Sequence, residues 1–202
     1  MRTTAHSIYV AEVAQLFPPQ GEWTEQDYFA LPSSDRSVEL WDGTLLIGET
    51  PTDDHQAVRA RLFAALEAFC AGQPALQVQP LDSVLRLAPN QIRKPDLMVL
   101  AADGAAKRQP THVDGPPLWV AEILSPDSVR RDEIDKVMDY AQAGIVEYWL
   151  IDVSARSVIR YELHEGRSDY TMAQTTQDAG QACSEVLTGF CQNLSGLFNA
   201  LR

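Results

Sequence analysis

Residues 118–124 form the most apolar stretch of the chain, and this segment constrains the fold more than any other. Its sequence is Leu-Trp-Val-Ala-Glu-Ile-Leu. A nearly continuous apolar run of this length is typical of a central strand that is buried on both faces. Such a strand needs covering layers above and below it. We therefore predict an α/β (α+β) domain with a central mixed β-sheet flanked by helices.

The segments around this strand alternate between helical and strand patterns. Thr24 is expected to cap a short helix, and Thr52 a longer one whose apolar residues recur at helical spacing as far as Gly72. The dipeptide Asp42-Gly43 suits the two-residue turn of a hairpin. Strands are expected at 76–81, 84–87, 97–100, 146–153, 157–163 and 170–173, helices at about 129–143 and 194–201, and a loop at 103–117.

Composition places limits on the class of protein. The 202 residues favour one domain, and 16 Lys+Arg against 28 Asp+Glu give a net charge of −12. This balance argues against a protein that coats nucleic acid through basic side chains, but it is compatible with a nuclease that has a local basic cleft or that uses metal ions to contact phosphate. No apolar run approaches the roughly 20 residues of a membrane span, and no secretory signal is present, so we expect a cytoplasmic protein without membrane contact. The three cysteines, Cys70, Cys183 and Cys191, are expected to be reduced thiols.

Two carboxylates stand out as candidates for chemistry. Glu122 lies in the middle of the apolar strand, where glutamate is rare unless it is paired or bound to a metal. Asp96 follows Pro95 and leads directly into the apolar segment 97–100, so it lies at a strand end. Alone, Asp96 is more typical of a turn, and Glu122 could belong to a buried salt bridge. On neighbouring strands, the two could bind a hard cation such as Mg²⁺ together with waters and substrate phosphates.

Two lysines are candidates for the cation of such a site. Lys136 follows the Glu122 strand on the expected helix, but helical spacing places it away from the apolar stripe, where it would be solvated and paired with Asp132. Lys94 precedes Asp96 by two residues, so in an extended segment both side chains face the same way. The apolar stripe of the helix comprises Ile134, Val137, Met138 and Ala141.

A series of short motifs follows in order along the chain. They are Glu39-Leu40-Trp41-Asp42-Gly43, Asp54-His55-Gln56, Pro95-Asp96-Leu97, Val120-Ala121-Glu122-Ile123-Leu124-Ser125-Pro126, Arg131-Asp132 with Lys136, Tyr140-Ala141-Gln142-Ala143-Gly144-Ile145 and Glu147-Tyr148-Trp149-Leu150-Ile151-Asp152. Their order and spacing resemble the Uma2 family of putative restriction endonucleases, which belongs to the PD-(D/E)XK nuclease-like superfamily. The resemblance covers about residues 23–163 and implies a restriction-endonuclease-like core. We expect a leader at 1–22 and a single domain at 23–202, with the nuclease-like core at about 36–163.

The resemblance also implies roles for individual residues. Asp96 and Glu122 would be catalytic and would bind Mg²⁺, or Mn²⁺ as a substitute, with the backbone carbonyl of Ile123 as a third ligand. The lysine expected two residues after Glu122 is replaced by Leu124, and the family pattern supplies Lys136 from the next helix as the catalytic cation. The accessory residues would be Glu39, His55, Tyr140 and Lys94, although a lone histidine such as His55 is more often a packed or capping residue.

The function implied is that of a Mg²⁺-dependent endonuclease that hydrolyses phosphodiester bonds in nucleic acid, with DNA as the expected substrate. The metal would acidify a bound water and neutralise charge on the scissile phosphate. Because a fold does not establish a function, two alternatives stay open. One is a catalytically silent nuclease-fold module that binds nucleic acid or protein. The other is a metal-dependent hydrolase of a small phosphorylated substrate. A homodimer is also compatible with the sequence.

Overall fold

The computed structural model describes residues 17–34, 36–124 and 135–201, whose helices and short strands are connected by turns and loops. The helices are α1 Glu25–Phe29, α2 Asp53–Ala71, α3 Lys136–Ala143 and α4 Leu194–Leu197. The strands are β1 Val38–Trp41, β2 Thr44–Ile47, β3 Leu76–Val78, β4 Leu85–Ala88, β5 Gln91–Arg93, β6 Leu97–Ala101, β7 Lys107–Arg108, β8 Val113–Asp114, β9 Trp119–Leu124, β10 Glu147–Asp152, β11 Ser157–Glu162, β12 Thr171–Gln177, β13 Gln181–Cys183 and β14 Cys191–Asn193.

Two six-stranded mixed sheets make up most of the described structure. The central sheet has the order β12-β11-β10-β9-β6-β3, and the second sheet has the order β2-β1-β5-β4-β8-β7. Strand β9 pairs with β10 in parallel and with β6 in antiparallel orientation, and all six of its residues are buried. The prediction of a central strand in this segment is confirmed.

The two faces of β9 belong to two different cores. Trp119, Ala121 and Ile123 pack in a core with α2 and α4, while Val120 and Leu124 pack in a core with α3 and with residues of β4 and β8. This division follows from the two-residue repeat of a strand. Glu122 shares the second face. The one charged residue of β9 therefore points toward α3 and the second sheet.

Local signals in the sequence set several element boundaries. Thr24 Oγ1 accepts a hydrogen bond from the N–H of Asp27, and Thr52 Oγ1 accepts one from the N–H of His55, so both predicted helix caps are confirmed. The predicted hairpin turn is confirmed as well. Its two central residues have positive φ angles, as a type I′ turn requires.

Other elements differ from the prediction. The segment 103–117, expected to be a loop, contains β7 and β8, and the short strands β5, β13 and β14 were not predicted, because two or three residues are too few to show a period. Strand β12 extends to Gln177 rather than ending near 173. The first part of the helix expected at 129–143 and most of the expected leader lie outside the described residues. No helix among the described residues is long and apolar enough to cross a membrane.

The prediction of three reduced cysteines is wrong. Cys183 and Cys191 lie directly opposite each other in the β13–β14 pair and form a disulfide, while Cys70 is free. This pair could not be predicted from the sequence, because it depends on the register of two strands that were not predicted.

Gly43 is a position where the fold accepts no side chain. Its carbonyl accepts hydrogen bonds from the N–H groups of Gly21 and Trp23, and a Cβ on Gly43 would lie 2.4 Å from the Gly21 carbonyl oxygen. We expect Gly43→Ala to lower the free energy of unfolding by about 3 kcal/mol, since the left-handed backbone and the clash with neighbouring backbone both add cost. Chemical denaturation measures this loss.

Gly166→Ala is the matched control. Gly166 has a φ of +78°, close to the +83° of Gly43, but a Cβ there would meet no atom within 4 Å. The free energy of unfolding of Gly166→Ala should fall by only the roughly 1–2 kcal/mol that a left-handed backbone costs a residue with a side chain. Equal losses at the two positions would contradict the steric argument.

Candidate active site

A cleft of about 580 Å³ opens beside the ends of β6 and β9. It brings together nearly all the residues that the sequence analysis singled out. Those that line it are Glu39, His55, Lys94, Asp96, Glu122, Ile123 and Lys136. Tyr140 does not line the cleft but contacts Glu122 from beneath it. Residues separated by almost a hundred positions in the chain therefore meet at one place.

Asp96 is held in position by two donors from different elements. In the β6–β9 ladder Leu97 pairs with Ala121, so the same register places residue 96 opposite residue 122. Asp96 Oδ2 accepts a hydrogen bond from the N–H of Ile123 at 2.8 Å and lies 3.2 Å from His55 Nε2. Oδ1 accepts no hydrogen bond from the residues that the structure describes. His55, at the start of α2, thus positions this carboxylate while leaving one oxygen for a ligand.

The ionised form of Asp96 is favoured in this setting. Burial would raise the pKa of its carboxyl group, but the contact with His55, the Ile123 N–H and the charge of Lys136 lower the pKa below its usual value. Asp96 is therefore a carboxylate at neutral pH, as a metal ligand must be.

Glu122 is buried and bound on one oxygen by two donors from α3. The Lys136 ammonium lies 2.8 Å from Glu122 Oε1, and the Tyr140 hydroxyl donates to the same oxygen at 2.6 Å. Burial, followed by the negative charges of Glu122 and Glu39, raises the pKa of Tyr140 well above its usual value, so it remains a neutral donor. Lys136 and Tyr140, one helical turn apart, act on Glu122 as a pair.

Helical spacing gave the wrong orientation for α3. It placed Lys136 on the solvated side and Met138 in the apolar stripe, whereas Lys136 is 5% exposed and Met138 is 55% exposed. The buried face is formed by Lys136, Tyr140 and Ala141. The charges of Glu122 and Glu39, rather than apolar contacts alone, determine which side of α3 faces inward. Asp132, the partner expected for Lys136, lies outside the described residues.

Glu39 connects the site to a buried network that the sequence analysis did not anticipate. Glu39 Oε1 lies 3.1 Å from the Lys136 ammonium and accepts the Lys94 N–H, and Oε2 accepts from the Arg93 guanidinium at 3.0 Å. Arg93 also pairs with Asp139 of α3 and lies over the Trp41 ring at 4.2 Å. Both Glu39 and Arg93 are only 2% exposed.

The network fixes the charges of its members. Burial would raise the pKa of Glu39, but Lys136, Arg93 and the Lys94 N–H outweigh burial and lower the pKa to about 2. Burial would lower the pKa of Arg93, but Glu39 and Asp139 raise it above its usual value. Glu39 is therefore ionised and engaged by two cations.

Lys94 occupies a different place from Lys136. Its ammonium lies 3.7 Å from Asp82 Oδ1 at the rim of the cleft, and its side chain is more exposed than that of Lys136. Of the two candidate lysines, Lys136 is the one whose ammonium contacts Glu122.

The charge balance around the cleft fits a divalent cation. Three carboxylates, Glu39, Glu122 and Asp139, contact the two cations Arg93 and Lys136, and a fourth carboxylate, Asp96, contacts His55. Oxygen ligands and excess negative charge suit Mg²⁺ or Mn²⁺. Among the described ranges, no three His, Cys, Asp or Glu side chains form a ready-made metal cluster. A metal ion here would depend on water and substrate oxygens as well as Asp96 and Glu122.

Residues 25–195 match the model of the Uma2 family, whose description is putative restriction endonuclease. The chain belongs to the Uma2 family. The predicted family is thereby confirmed, and the match extends beyond the span on which the sequence resemblance rested. No curated protein is significantly similar to this Uma2 chain.

A solved structure shares the architecture of this Uma2 protein. The crystal structure of a putative nuclease belonging to DUF820 from Anabaena variabilis superposes with a TM-score of 0.70 at 16% sequence identity, over 87% of this chain and 97% of that chain. At this identity the likeness concerns the fold. The predicted restriction-endonuclease-like fold, with a central mixed sheet flanked by helices, is confirmed.

The low pKa of Glu39 predicts how stability depends on pH. A carboxylate whose pKa falls from 4.5 when unfolded to about 2 when folded stabilises the protein above pH 4.5 and loses this effect as the pH falls toward 2. We expect Glu39→Gln to be destabilised by about 3 kcal/mol at neutral pH, and the difference from wild type to narrow between pH 4.5 and 2. Urea denaturation at a series of pH values measures it.

Glu67→Gln, at an exposed position of α2, provides the control for removing one carboxylate. The free energy of unfolding of Glu67→Gln should differ little from that of wild type, and by a constant amount between pH 4.5 and 2. A constant difference for Glu39→Gln would show that the ion pairs with Lys136 and Arg93 do not stabilise the fold.

Proposed function

We propose that this Uma2 protein is a Mg²⁺-dependent endonuclease that hydrolyses phosphodiester bonds in DNA. The observation that carries the proposal is the meeting of Asp96, Glu122 and Lys136 in one cleft, in the order that the PD-(D/E)XK pattern requires. The family description and the nuclease-like fold support the same class of reaction. The choice of DNA as substrate follows from the restriction-endonuclease resemblance.

Asp96 and Glu122 would hold the metal, with the Ile123 carbonyl as a further oxygen ligand. When bound, Mg²⁺ neutralises charge on the scissile phosphate and makes nearby water more acidic. His55 and the Ile123 N–H both contact Asp96 Oδ2. They favour the ionised carboxylate and hold Oδ2, so Oδ1 would be the oxygen available to a metal ion.

Lys136 would act electrostatically on the reacting phosphate. Its ammonium lies between Glu39 and Glu122, at 3.1 and 2.8 Å, so it is fixed before substrate arrives. A preorganised cation stabilises the negative charge that develops in the transition state without reorganisation of solvent. Tyr140 and Arg93 would be positioning residues, since Tyr140 holds Glu122 and Arg93 holds Glu39.

The alternative of a small phosphorylated substrate makes a different prediction for the cleft. Arg59 and Lys94 line the cleft beyond the carboxylates, along α2 and the β3–β4 turn, and could take a second phosphate. A substrate with several phosphates, as in a polymer, is therefore favoured over one with a single phosphate. Activity on nucleotides, with none on DNA, would support the alternative.

Asp96→Asn should abolish cleavage of plasmid DNA in Mg²⁺ or Mn²⁺, because it removes a charged metal ligand with little change in shape. It should also remove most of the rise in melting temperature that Mn²⁺ gives to the wild type. Asp103→Asn, in the exposed turn that follows the other end of β6, is the matched control and should retain both properties. A wild type that neither cleaves DNA nor gains stability from Mn²⁺ would favour the catalytically silent module.

Lys136→Ala should lower kcat by about a thousandfold, within the range found when one transition-state donor is removed. Because an ammonium is not a metal ligand, the Mn²⁺-dependent rise in melting temperature should persist. Lys94→Ala should keep a much larger share of kcat, since its ammonium lies on Asp82. Lys107→Ala, an exposed lysine far from the cleft, should behave as wild type.

The opposite result, with Lys94→Ala inactive and Lys136→Ala active, would transfer the catalytic role to Lys94. Full activity in both variants would contradict the assignment of any lysine from this motif. A melting curve of each variant shows whether the buried pairs of Lys136 are also needed for folding.

A further inference from the structure

Three residues at the outer part of the cleft form a second group of charges, distinct from the carboxylate site. Arg59 on α2 lies 3.1 Å from Asp82 Oδ1, and the Lys94 ammonium lies 3.7 Å from the same oxygen. All three residues line the cleft. Two cations from different elements therefore converge on a single carboxylate oxygen, as they would on a phosphate oxygen.

Asp82 is weakly held by this arrangement. It lies in the turn between β3 and β4, with a φ of +65°, and its side chain is 60% exposed. An ion pair with an exposed partner contributes little to stability, because water and salt compete for both charges. A ligand with stronger acceptors can therefore displace Asp82 from Arg59 and Lys94 without disrupting the fold.

The guanidinium of Arg59 has hydrogen-bonding capacity that Asp82 does not use. One terminal nitrogen donates to Asp82 and the other donates to Gln56 at 2.8 Å. Its Nε–H is buried and has no acceptor among the described residues. An arginine can donate two parallel N–H bonds to a phosphate group, whereas the structure shows one N–H bond from Arg59 to Asp82. A phosphate that approaches Arg59 could therefore engage more of its N–H groups than Asp82 does.

The position of this group relates it to the carboxylate site. Arg59 follows His55 by one turn of α2, and Lys94 precedes Asp96 by two residues. His55 and Asp96 are themselves in contact. A phosphate held by Arg59 and Lys94 would therefore lie beside the scissile phosphate that a metal ion at Asp96 and Glu122 would contact, as successive phosphates of one strand do.

We propose that Arg59 and Lys94 bind a backbone phosphate of DNA next to the one that is cut, and that Asp82 occupies this phosphate site when no DNA is bound. The inference rests on the proposed function, which it deepens by assigning a binding site for a neighbouring phosphate. Asp82 competes with DNA for the two cations and so weakens binding.

The test is the affinity for a short fluorescein-labelled DNA duplex, measured by fluorescence anisotropy with Mg²⁺ present. Every variant also carries Asp96→Asn, so that the duplex is not cut. Asp82→Asn should tighten binding about two- to fivefold, the range expected on removing a competing exposed ion pair. Arg59→Ala should weaken binding about tenfold, and Lys94→Ala by less, because a guanidinium presents its donors as a rigid parallel pair and an ammonium does not. The loss of the cation in either variant should reduce the slope of log Kd against the logarithm of the salt concentration by about one.

Two controls separate this mechanism from general electrostatics. Asp53→Asn removes the same charge from an exposed position at the start of α2 and should tighten binding less than Asp82→Asn. In the Arg59→Ala background, Asp82→Asn should lose most of its effect, since the competition it relieves is gone. Arg59→Lys, which keeps the charge but not the paired donors, should bind with intermediate affinity.

The inference is overturned if Asp82→Asn leaves the affinity unchanged, if Asp53→Asn tightens binding as much, or if Arg59→Ala binds as the parent does. In these cases DNA still binds, so the proposed function stands. If the Asp96→Asn parent binds no DNA, the proposed substrate is wrong and this inference fails with it.

Discussion

The ammonium of Lys136 lies between two buried carboxylates, one from each of the two sheets, and offsets charge that both sheets bring into the interior. Glu122 belongs to the central sheet and Glu39 to the second sheet, and Lys136 reaches both from α3. Charged groups inside a protein are costly unless each finds a partner. If Lys136 were absent, Glu122 would be a buried charge in the most apolar strand of the chain. The fold and the candidate site therefore share one electrostatic requirement.

This requirement explains which parts of the structure could be predicted from the sequence. Features with local causes could be predicted, including the helix caps at Thr24 and Thr52 and the Asp42-Gly43 turn. Asp96 and Glu122 could be recognised because each is a carboxylate beside or within an apolar strand. The pairing of the two strands and the family pattern then brought them together. Their catalytic role itself stays a prediction.

Features that depend on contacts between distant elements could not be predicted from the sequence. Arg93 and Asp139 complete the charge network, but Arg93 lies in a three-residue strand and Asp139 on a short helix, and nothing local links them. The local signal available for β5, the strand that carries Arg93, was the Pro89-Asn90 turn before it, where Asn90 adopts a positive φ. The orientation that helical spacing predicted for α3 was wrong for a related reason. A hydrophobic period assumes that the buried side is apolar, whereas α3 buries the side that meets two carboxylates.

An acidic protein can bind a polyanion when its cations are concentrated where the polymer passes. In this chain the cations Arg59, Lys94 and Lys136 line the cleft together with five carboxylates, so a divalent cation bound there would be needed to offset the negative charge; these carboxylates are Glu39, Glu49, Asp82, Asp96 and Glu122. Local potential, rather than total charge, decides where a phosphate approaches. The excess of acid elsewhere would disfavour binding away from the cleft. If the proposed function is right, Asp82 would compete with the polymer for Arg59 and Lys94, because it contacts both cations.

Burial of a carboxylate is not by itself a mark of a functional site, as Glu147 shows. Glu147 is fully buried at the start of β10, and its oxygens accept hydrogen bonds from the Trp149 indole and from the N–H groups of Glu185 and Val186. These donors join the C-terminal segment to the central sheet and engage both oxygens. Asp96, by contrast, has donors on one oxygen, while the other accepts no hydrogen bond from the described residues. A carboxylate that binds a ligand needs an oxygen that the fold leaves without a donor, and by this criterion Asp96, unlike Glu147, would be able to take a ligand.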